Sequence, residues 1–473
     1  MKKNKANRNI FVSTVIFVII FVIMSGYLIY FNVVKAEGII NNPYNKRQNV
    51  LSEKIIRGSI LSNDKTPLAV TNVDSEGNES RYYPFANLFA HIVGYLNNGG
   101  YGLESQNCYY MLQSNQNFFE QIGNDLAGNK NYGDNIVTTL DINLQKIAYD
   151  ALVTNRGAVI ISEPSTGKIL AMVSKPDFDP NSLAANWSSI TAAGADSVLV
   201  NRATQGLYPP GSTFKLVTML EYIRENKNSF NKYIYQCDGT YELGNTTINC
   251  LRTTAHGTLD IYSSLGMSCN CSFINMGLQL DLGRYRKTAE ELLFNKELPT
   301  ALEYNRSRFV LNNESGKWDI AQTAFGQGQT VVTPFHLSLI VNAIANDGLL
   351  MNPYLVSSVE NCNGITIKKF KTSEYGKLMT AEEAGYLKKG MEEVITDSYT
   401  WLFNGISYSV AAKSGSAQYG TQGYEHSLFV SYSPADTPEI TVAVVVEGGP
   451  QRTTSAAEIA KIIYDAYYSM KAD

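Results

Sequence analysis

The chain has 473 residues, of which 17% are charged, and its formal net charge is -4. That length is enough for two or three domains with a sizeable core, and the weak charge gives no reason to expect nucleic-acid binding. Six cysteines in so long a chain do not make a disulfide framework. Four scattered histidines argue against a histidine-based metal site and against a Ser-His-Asp triad.

The N-terminus predicts a membrane anchor. Residues 1–9 are short and basic, and residues 10–31 are an apolar run long enough to cross a bilayer as a helix. Because basic flanks stay in the cytoplasm, we expect the N-terminus inside the cell and the rest of the chain outside. A cleaved signal peptide is the alternative, but the run is too long and Val34-Lys35-Ala36-Glu37 is a poor cleavage site. The sequence therefore favours a single-pass membrane protein with a large extracellular part.

Residues 36–135 form a separate region that is rich in Asn, Tyr and Gly. Its distinctive stretches are Arg57-Gly58-Ser59-Ile60 and Gly102-Leu103-Glu104, and their simplest interpretation is turn glycines flanked by surface charges. The segment from Gly123 to Gly133 is typical of a turn-rich hinge. The region has no obvious nucleophile or carboxylate cluster, so we expect a non-catalytic pedestal or pairing domain.

Residues 136–473 predict a mixed α+β domain. Two early strands, Ala158 to Ser162 and Lys168 to Ser174, are joined by a turn at Pro164-Ser165-Thr166-Gly167. Three more β-rich runs lie near the C-terminus, namely Ser407 to Lys413, Leu428 to Ser433 and Ile440 to Glu447. We therefore expect one sheet built from both ends of the domain, with helices between and around the strands.

The stretch from Tyr208 to Lys215 carries the first indication of chemistry. A rigid Pro-Pro-Gly turn presents Ser212 and Lys215 on the first turn of a helix, where residues i and i+3 share a face. A serine is a weak nucleophile until a base takes its proton, and burial lowers the pKa of a lysine enough for it to serve. The sequence predicts Ser212 as an acyl-transfer nucleophile and Lys215 as its base.

The Ser-x-x-Lys pattern alone is weak evidence, because it also begins at Ser62, Ser165 and Ser229. Ser62 and Ser165 lie in segments that predict turns. Ser229 has no rigid turn before it that would place it at the start of a helix. Ser212 is therefore the one match with a structural reason for catalysis.

Two later motifs also suit acyl transfer. Ser268-Cys269-Asn270 offers a hydroxyl that can relay a proton and an amide that can hold a substrate amide. Lys413-Ser414-Gly415-Ser416, expected at the end of a strand, offers a cation for a carboxylate and a glycine that permits close approach. The N–H groups of Ser416 and Ser212 can form an oxyanion hole. Each motif is weak singly, but all three in this order are a strong indication.

With these motifs in order, the chain resembles the penicillin-binding proteins, and more closely the compact, monofunctional class B transpeptidases. The resemblance covers nearly everything after the anchor. Besides the three motifs and the stretches at Arg57, Gly102 and Pro164, it rests on Asn42-Pro43-Tyr44-Asn45, Thr138-Thr139-Leu140-Asp141, Asn201-Arg202-Ala203, Gly326-Gln327-Gly328-Gln329 followed by Thr333-Pro334, and Phe429-Val430-Ser431-Tyr432.

The fold that the resemblance implies is a serine D,D-peptidase or β-lactamase-like transpeptidase domain, a mixed sheet flanked by helices. A small elongated N-terminal domain and a single transmembrane helix would precede it. The implied activity is peptidoglycan D,D-transpeptidation. Ser212 would be acylated by the penultimate D-Ala of a stem peptide, and an amine of a neighbouring strand would then accept the acyl group. A β-lactam would acylate the same serine.

The resemblance also implies roles for the other motif residues. Lys215 would be the base, Ser268 the proton relay and Asn270 the contact to a substrate amide. The carboxylate and oxyanion side of the site would comprise Lys413, Ser414, Gly415 and Ser416, although the family most often has Thr where this chain has Ser416. No metal and no cofactor are implied.

Partners and alternatives follow from the same resemblance. Residues 36–135 leave little room for a glycosyltransferase module, so cross-linking would depend on a separate, membrane-embedded glycan polymerase. A homodimer stays open. A β-lactamase or penicillin-sensing receptor shares the three motifs, and a non-catalytic scaffold is a further alternative, although every catalytic position is filled.

The cysteines leave a question that the sequence does not decide. Cys237 and Cys250 flank an extended turn outside the membrane, where disulfides can form. A disulfide and two buried free thiols are equally supported, since sequence does not fix connectivity. We expect Cys269 to be a small buried residue and His256 to be a turn residue.

Overall fold

The computed structural model describes residues 2–31, 35, 39, 41, 47–192, 194, 196–419, 423–449 and 452–472. The stretch from Asn42 to Asn45, part of the family resemblance, lies outside them. Helix α1 (Lys2–Tyr30) contains a 23-residue span of mean hydropathy 2.6. Within the described residues, it is the one helix long and apolar enough to cross a membrane. It coincides with the predicted anchor.

The region after α1 is built from short elements. Its helices are α2 (Arg47–Ser52), α3 (Ala90–Val93), α4 (Gly102–Gln106), α5 (Cys108–Met111), α6 (Phe118–Ala127) and α7 (Ile142–Ala151). Its strands are β1 (Ile55–Ile56), β2 (Ile60–Leu61), β3 (Pro67–Val73), β4 (Glu79–Tyr82), β5 (Asn131–Tyr132) and β6 (Asn135–Thr138).

Helices and strands alternate irregularly along the rest of the chain. The helices are α8 (Leu183–Ile190), α9 (Lys215–Glu225), α10 (Ile261–Gly266), α11 (Asn270–Gly277), α12 (Leu282–Glu291), α13 (Lys317–Ala324), α14 (Pro334–Ala345), α15 (Ala381–Ser398), α16 (Thr400–Phe403) and α17 (Ala456–Ala472). The strands are β7 (Gly157–Ser162), β8 (Ile169–Lys175), β9 (Tyr235–Cys237), β10 (Thr240–Leu243), β11 (Thr246–Asn249), β12 (Gly257–Leu259), β13 (Leu349–Met351), β14 (Val356–Glu360), β15 (Thr366–Lys369), β16 (Glu374–Lys377), β17 (Ala411–Tyr419), β18 (Tyr424–Ser433) and β19 (Ile440–Val446).

A five-stranded antiparallel sheet forms the centre of the larger part, in the order β17-β18-β19-β7-β8. Helix α14 packs against it, and α7 and α17 contribute to a second cluster of buried side chains on it. All residues of β19 are buried, because helices cover both faces of the sheet. The prediction of one sheet built from both ends of the domain is confirmed.

A second, six-stranded sheet has the order β15-β14-β6-β2-β3-β4. Strand β6 pairs in parallel with β2 on one side and antiparallel with β14 on the other. Strands β14 and β15 follow α14 in the chain, so a distant segment completes the sheet of the N-terminal region. The predicted boundary between residues 135 and 136 falls inside β6, and the proposed domain limits stay a prediction.

The two distinctive stretches of the N-terminal region meet in its interior. Glu104 accepts hydrogen bonds from Arg57 Nε at 2.9 Å and from Arg81 Nε at 2.6 Å. The Glu104 carboxylate is completely buried, and the Arg57 and Arg81 side chains are less than one-tenth exposed. Interpreting them as surface charges was wrong, because the sequence does not show that the residues pair.

The segment predicted as a hinge contains the second half of α6. The helix passes through Gly123 and ends at Gly128, which has the left-handed φ of 72° common at helix ends. Gln121 and Asn124 bind it to its neighbours, donating to the Ser114 and Gln116 carbonyls and to Asn131 Oδ1 respectively. The opposite face is apolar and exposed, with Phe118, Phe119, Ile122 and Leu126. The helix therefore packs through its polar side.

Candidate active site

Ser212 lies in a single 3-10 turn, Gly211–Phe214, that leads directly into α9. Thr213 Oγ1 donates to the Pro210 carbonyl at 2.7 Å, and Gly211 N donates to the Gly326 carbonyl at 2.9 Å. Gly211 has φ +53°, and a Cβ there would lie 2.7 Å from the Ser416 carbonyl oxygen. Only glycine fits between these segments, so the turn holds Ser212 against β17.

Lys215 is the first residue of α9, and its side chain is completely buried. Its Nζ donates to the Ser268 carbonyl at 2.7 Å, to Asn270 Oδ1 at 2.9 Å and to Ser268 Oγ at 3.3 Å. In the described part of the chain, no hydrogen bond joins it to Ser212 Oγ. The role of Lys215 as the base for Ser212 therefore stays a prediction.

Lys413 lies inside β17, not at the end of a strand as the sequence suggested, because β17 begins at Ala411 and continues to Tyr419. The longer pairing with β18 extends the strand through the whole motif. Lys413 Nζ donates to Ser268 Oγ at 3.0 Å and to the Ser414 carbonyl at 3.1 Å. Ser268 Oγ thus lies between two buried amines.

The two amines make an unusual electrostatic environment. Burial lowers the pKa of Lys215 to about 8. Burial, and then the charge of Lys215, lowers the pKa of Lys413 well below its ordinary value. Within the described residues, neither amine forms an ion pair with a carboxylate. A neutral amine can accept the proton of Ser268 Oγ, so a proton can pass between the two lysines through this hydroxyl.

The backbone of the Ser-x-Asn segment is unusual. Ser268 has a φ of 51°, in the left-handed region that few residues other than glycine adopt. Asn270 begins α11, and its Nδ2 donates to the Asn249 carbonyl at 3.1 Å. Tertiary contacts therefore hold Ser268 in a backbone conformation that a serine does not favour, and they fix the side chain of Asn270.

The oxyanion side comes close to the serine turn. A Cβ at Gly415 would lie 3.0 Å from the Pro210 carbonyl, so β17 approaches the turn closely. Ser416 is exposed, and its carbonyl accepts a hydrogen bond from Gln327 Nε2 at 3.3 Å. Ser414 is half-buried next to Lys413. The structure thus brings all three motifs together around Ser212 and Ser268.

Sequence reasoning missed the acidic residue that supports this arrangement. Glu447, just after β19, accepts from Arg202 Nε at 2.8 Å, from Tyr208 Oη at 2.8 Å and from Arg156 Nε at 3.0 Å. The bonds from Arg202 and Tyr208 fix the segment before Ser212 to the C-terminal end of β19, the central strand of the sheet. The Asn201-Arg202-Ala203 stretch was noticed, but its partner is too distant in sequence to be identified from a pattern.

The residues best suited to hold a metal surround Cys269. Cys237 Sγ and Cys250 Sγ are 3.8 Å apart, and both are free thiols in the structure. Within the described residues, the ligand atoms of Cys237, Cys250, His256 and Cys269 all lie within 4.8 Å of one another. From the sequence alone these residues have no evident connection, and no metal was expected. A mixed Cys and His set in one short stretch was the pattern that could have revealed them.

Comparison with known proteins identifies the family. The model of the penicillin binding protein transpeptidase domain matches residues 157–465, and that of the penicillin binding protein A dimerisation domain matches residues 57–136. The chain belongs to the penicillin-binding protein transpeptidase family. The predicted family and fold class are confirmed.

Individual relatives match over most of their length. The peptidoglycan D,D-transpeptidase PbpA of Mycolicibacterium smegmatis is 27% identical, and the match covers 89% of each chain. The penicillin G acyl-enzyme of penicillin-binding protein A from M. tuberculosis is 26% identical, with a TM-score of 0.78, covering 88% of this chain and 100% of that one. The D,D-transpeptidase domain of a peptidoglycan glycosyltransferase from Eggerthella lenta is 28% identical, with a TM-score of 0.78, covering 88% and 98%.

Proposed function

We propose that the protein is a peptidoglycan D,D-transpeptidase that acts through an acyl-enzyme at Ser212 and is inhibited by β-lactams. The observation that carries this proposal is the meeting of Lys215 and Lys413 at Ser268 Oγ, directly beside the turn that bears Ser212. Support comes from the relatives, one named as a peptidoglycan D,D-transpeptidase and another solved as a penicillin G acyl-enzyme.

The first half-reaction forms the acyl-enzyme. Ser212 Oγ attacks the carbonyl carbon of the penultimate D-Ala, and neutral Lys215 takes the hydroxyl proton. The backbone N–H groups of Ser212 and Ser416 stabilise the oxyanion of the tetrahedral intermediate. When the C–N bond breaks, the amine of the terminal D-Ala receives a proton from Ser268 Oγ. Protonated Lys215, which holds the proton taken from Ser212, then reprotonates Ser268.

The second half-reaction reverses these roles. An amine of a neighbouring stem peptide attacks the ester carbon, and its proton returns through Ser268 to a lysine amine. The C–O bond to Ser212 breaks, Ser212 Oγ regains a proton from the lysine that received it, and a new amide joins the two peptides. Asn270 holds a substrate amide through its side chain. The overall reaction exchanges one amide bond for another, so its free-energy change is small.

The two buried lysine amines support a proposal for where the substrate carboxylate binds. Neither amine has a carboxylate partner among the described residues, so an incoming anion would be favoured there. The terminal D-Ala carboxylate, or that of a β-lactam, would bind on the Lys413, Ser414 and Ser416 side. Its charge would raise the pKa of Lys413 and stabilise the protonated amine.

We also propose the arrangement in the cell and the partners. The anchor would place the N-terminus in the cytoplasm and the catalytic domain outside, with a separate membrane-embedded polymerase supplying glycan strands.

The exposed apolar face of α6 lies in the region matched by the dimerisation-domain model, and we assign it to a homodimer contact. Light scattering of the full chain in detergent should give a dimer for wild type and a monomer for Leu126→Asp. A wild-type monomer would rule the contact out.

Labelling with a fluorescent penicillin tests the activity. The full chain in detergent should label stably for many minutes, and mass spectrometry should find the adduct on the peptide that contains Ser212. Ser212→Ala should not label. Rapid release of hydrolysed penicillin would indicate a β-lactamase, and a wild-type protein that never labels would indicate a scaffold.

A further inference from the structure

We propose that Cys237, Cys250, His256 and Cys269 bind one zinc ion, and that this ion holds the Ser268-to-Asn270 segment in place. The side chains lie beside the catalytic residues but take no part in the acyl transfer described above. Three thiols and an imidazole are a recognised ligand set for a structural zinc site.

The separations of the ligand atoms match tetrahedral coordination. With Zn–S bonds of about 2.3 Å and Zn–N bonds of about 2.0 Å, two sulfurs should lie about 3.8 Å apart and a sulfur and a nitrogen about 3.5 Å apart. Cys237 and Cys250 Sγ are 3.8 Å apart, and Cys250 and Cys269 Sγ are 3.7 Å apart. Cys237 Sγ and His256 Nδ1 are 3.5 Å apart.

A disulfide explains this arrangement less well. A sulfur can bond to only one other sulfur, yet Cys250 Sγ has three sulfur neighbours, the third being Cys271 Sγ at 3.3 Å. All of these thiols are free and buried. One shared cation accounts for several thiols that converge on one point, whereas a disulfide would account for only two of them.

The surrounding fold needs an additional constraint. Cys237 ends β9, Cys250 follows β11, and His256 precedes β12, and these strands form only two-stranded ribbons. Such ribbons are marginal alone. Their small buried cluster consists of four cysteines and Leu259 and is separate from the main core. A metal would therefore supply the stability that hydrophobic burial does not.

The fourth ligand connects the site to catalysis. Cys269 lies between Ser268 and Asn270 and caps α11, its Sγ accepting from Ser272 N at 3.4 Å. Ser268 has a left-handed backbone, which persists only where surrounding contacts enforce it. Zinc bound by Cys269 would fix this backbone and hence the hydroxyl and amide on either side. The ligands are thus positioning residues.

Metal analysis of the full chain, purified in detergent with a tag free of histidine, tests the proposal. We expect about one zinc per chain in wild type and at least about a tenfold loss in the Cys237→Ser and Cys250→Ser variants. Cys362→Ser is the matched control, because Cys362 lies outside the cluster, and it should retain the zinc. Cobalt substitution should give the absorption of a tetrahedral thiolate complex, which reports the ligands without any measurement of activity.

Several outcomes would overturn the proposal. The first is a wild-type protein that contains no zinc. The second is copper or iron bound in place of zinc. The third is a Cys237–Cys250 disulfide in unreduced protein. Loss of zinc from Cys271→Ser but not from His256→Ala would disprove the assigned ligands. Chelation should slow penicillin labelling of Ser212, and added zinc should restore it. Stable labelling with no zinc present would reject the inference while leaving the proposed transpeptidase activity intact.

Discussion

Among the described residues, two buried pairs of basic side chains can be compared by what lies between them. In the N-terminal region, Glu104 lies between Arg57 and Arg81 and neutralises part of their charge. In the catalytic region, the hydroxyl of Ser268 lies between Lys215 and Lys413. Burying a charge without a partner is costly. In the first arrangement the buried charges have a partner, whereas in the second no described carboxylate lies beside the amines.

The pKa directions express the same contrast. Burial alone would raise the pKa of Glu104, but attraction to Arg81 and Arg57 outweighs it and lowers that pKa below the ordinary value. At the catalytic site no described carboxylate offsets burial, so the pKa values of both lysines fall. The cluster of Glu104 with its two arginines therefore stays charged in the folded protein. The pair of Lys215 and Lys413, which has no described carboxylate partner, can give up a proton.

Replacing Lys215 by Met should slow acylation without lowering stability. Without the base, the rate of acylation by a β-lactam should fall by about 100- to 10,000-fold. The melting temperature should stay the same or rise, because a buried amine without a carboxylate partner is replaced by an apolar side chain. Stopped-flow acylation and thermal unfolding measure the two effects. Lys146→Met, at an exposed position, is the control. A large drop in melting temperature without loss of rate would contradict the contrast.

Replacing Glu104 by Gln should produce the opposite combination. Removing the acid leaves two buried guanidinium groups uncompensated, which should lower the free energy of unfolding by about 3–5 kcal/mol. The acylation rate of the folded protein should change less than about twofold. Glu79→Gln is the matched control, since Glu79 pairs with the more exposed Lys130 and should cost less than about 1 kcal/mol. A slowed acylation with unchanged stability would show that the N-terminal cluster acts on the active site.

The contribution of Glu104 to the free energy of unfolding should depend on pH. Because the pKa of Glu104 is lower in the folded protein, its contribution to stability is fully present above the unfolded value of about 4.3. That contribution is lost as the pH falls through the folded pKa. Denaturant titrations of wild type and Glu104→Gln at descending pH should therefore converge in acid. A difference in stability that stays constant down to the lowest pH would reject this sign.

The smallest effect is expected at Ser416. Ser416→Thr restores the residue that the family most often has and keeps both the hydroxyl and the backbone N–H. Since the side chain is exposed, an added methyl group has space, and the acylation rate should change less than about threefold. Labelling kinetics with a single penicillin would measure it. A loss of ten-fold or more would mean that β17 packs more tightly there than the exposure indicates.

Local patterns predicted much of the fold and of the candidate site. The five-stranded sheet follows from two early and three late β-rich runs. Features that need distant partners were missed. These are the addition of β14 and β15 to the N-terminal sheet, the burial of Arg57 with Glu104, and the extension of β17 past Lys413. The apolar face of α6 was hidden by glycines that predicted a hinge.

By itself, the sequence determined the order of the three motifs, the family and the apolar N-terminal helix, because each depends on residue types at short spacing. Only the tertiary structure decided that Lys215 and Lys413 share Ser268 as a partner and that neither has a described carboxylate beside it. It also decided that cysteines and a histidine from three separate segments meet next to Ser268. The physical reason is that burial and long-range contact set charge state and ligand geometry, and neither is a property of neighbouring residues in the chain.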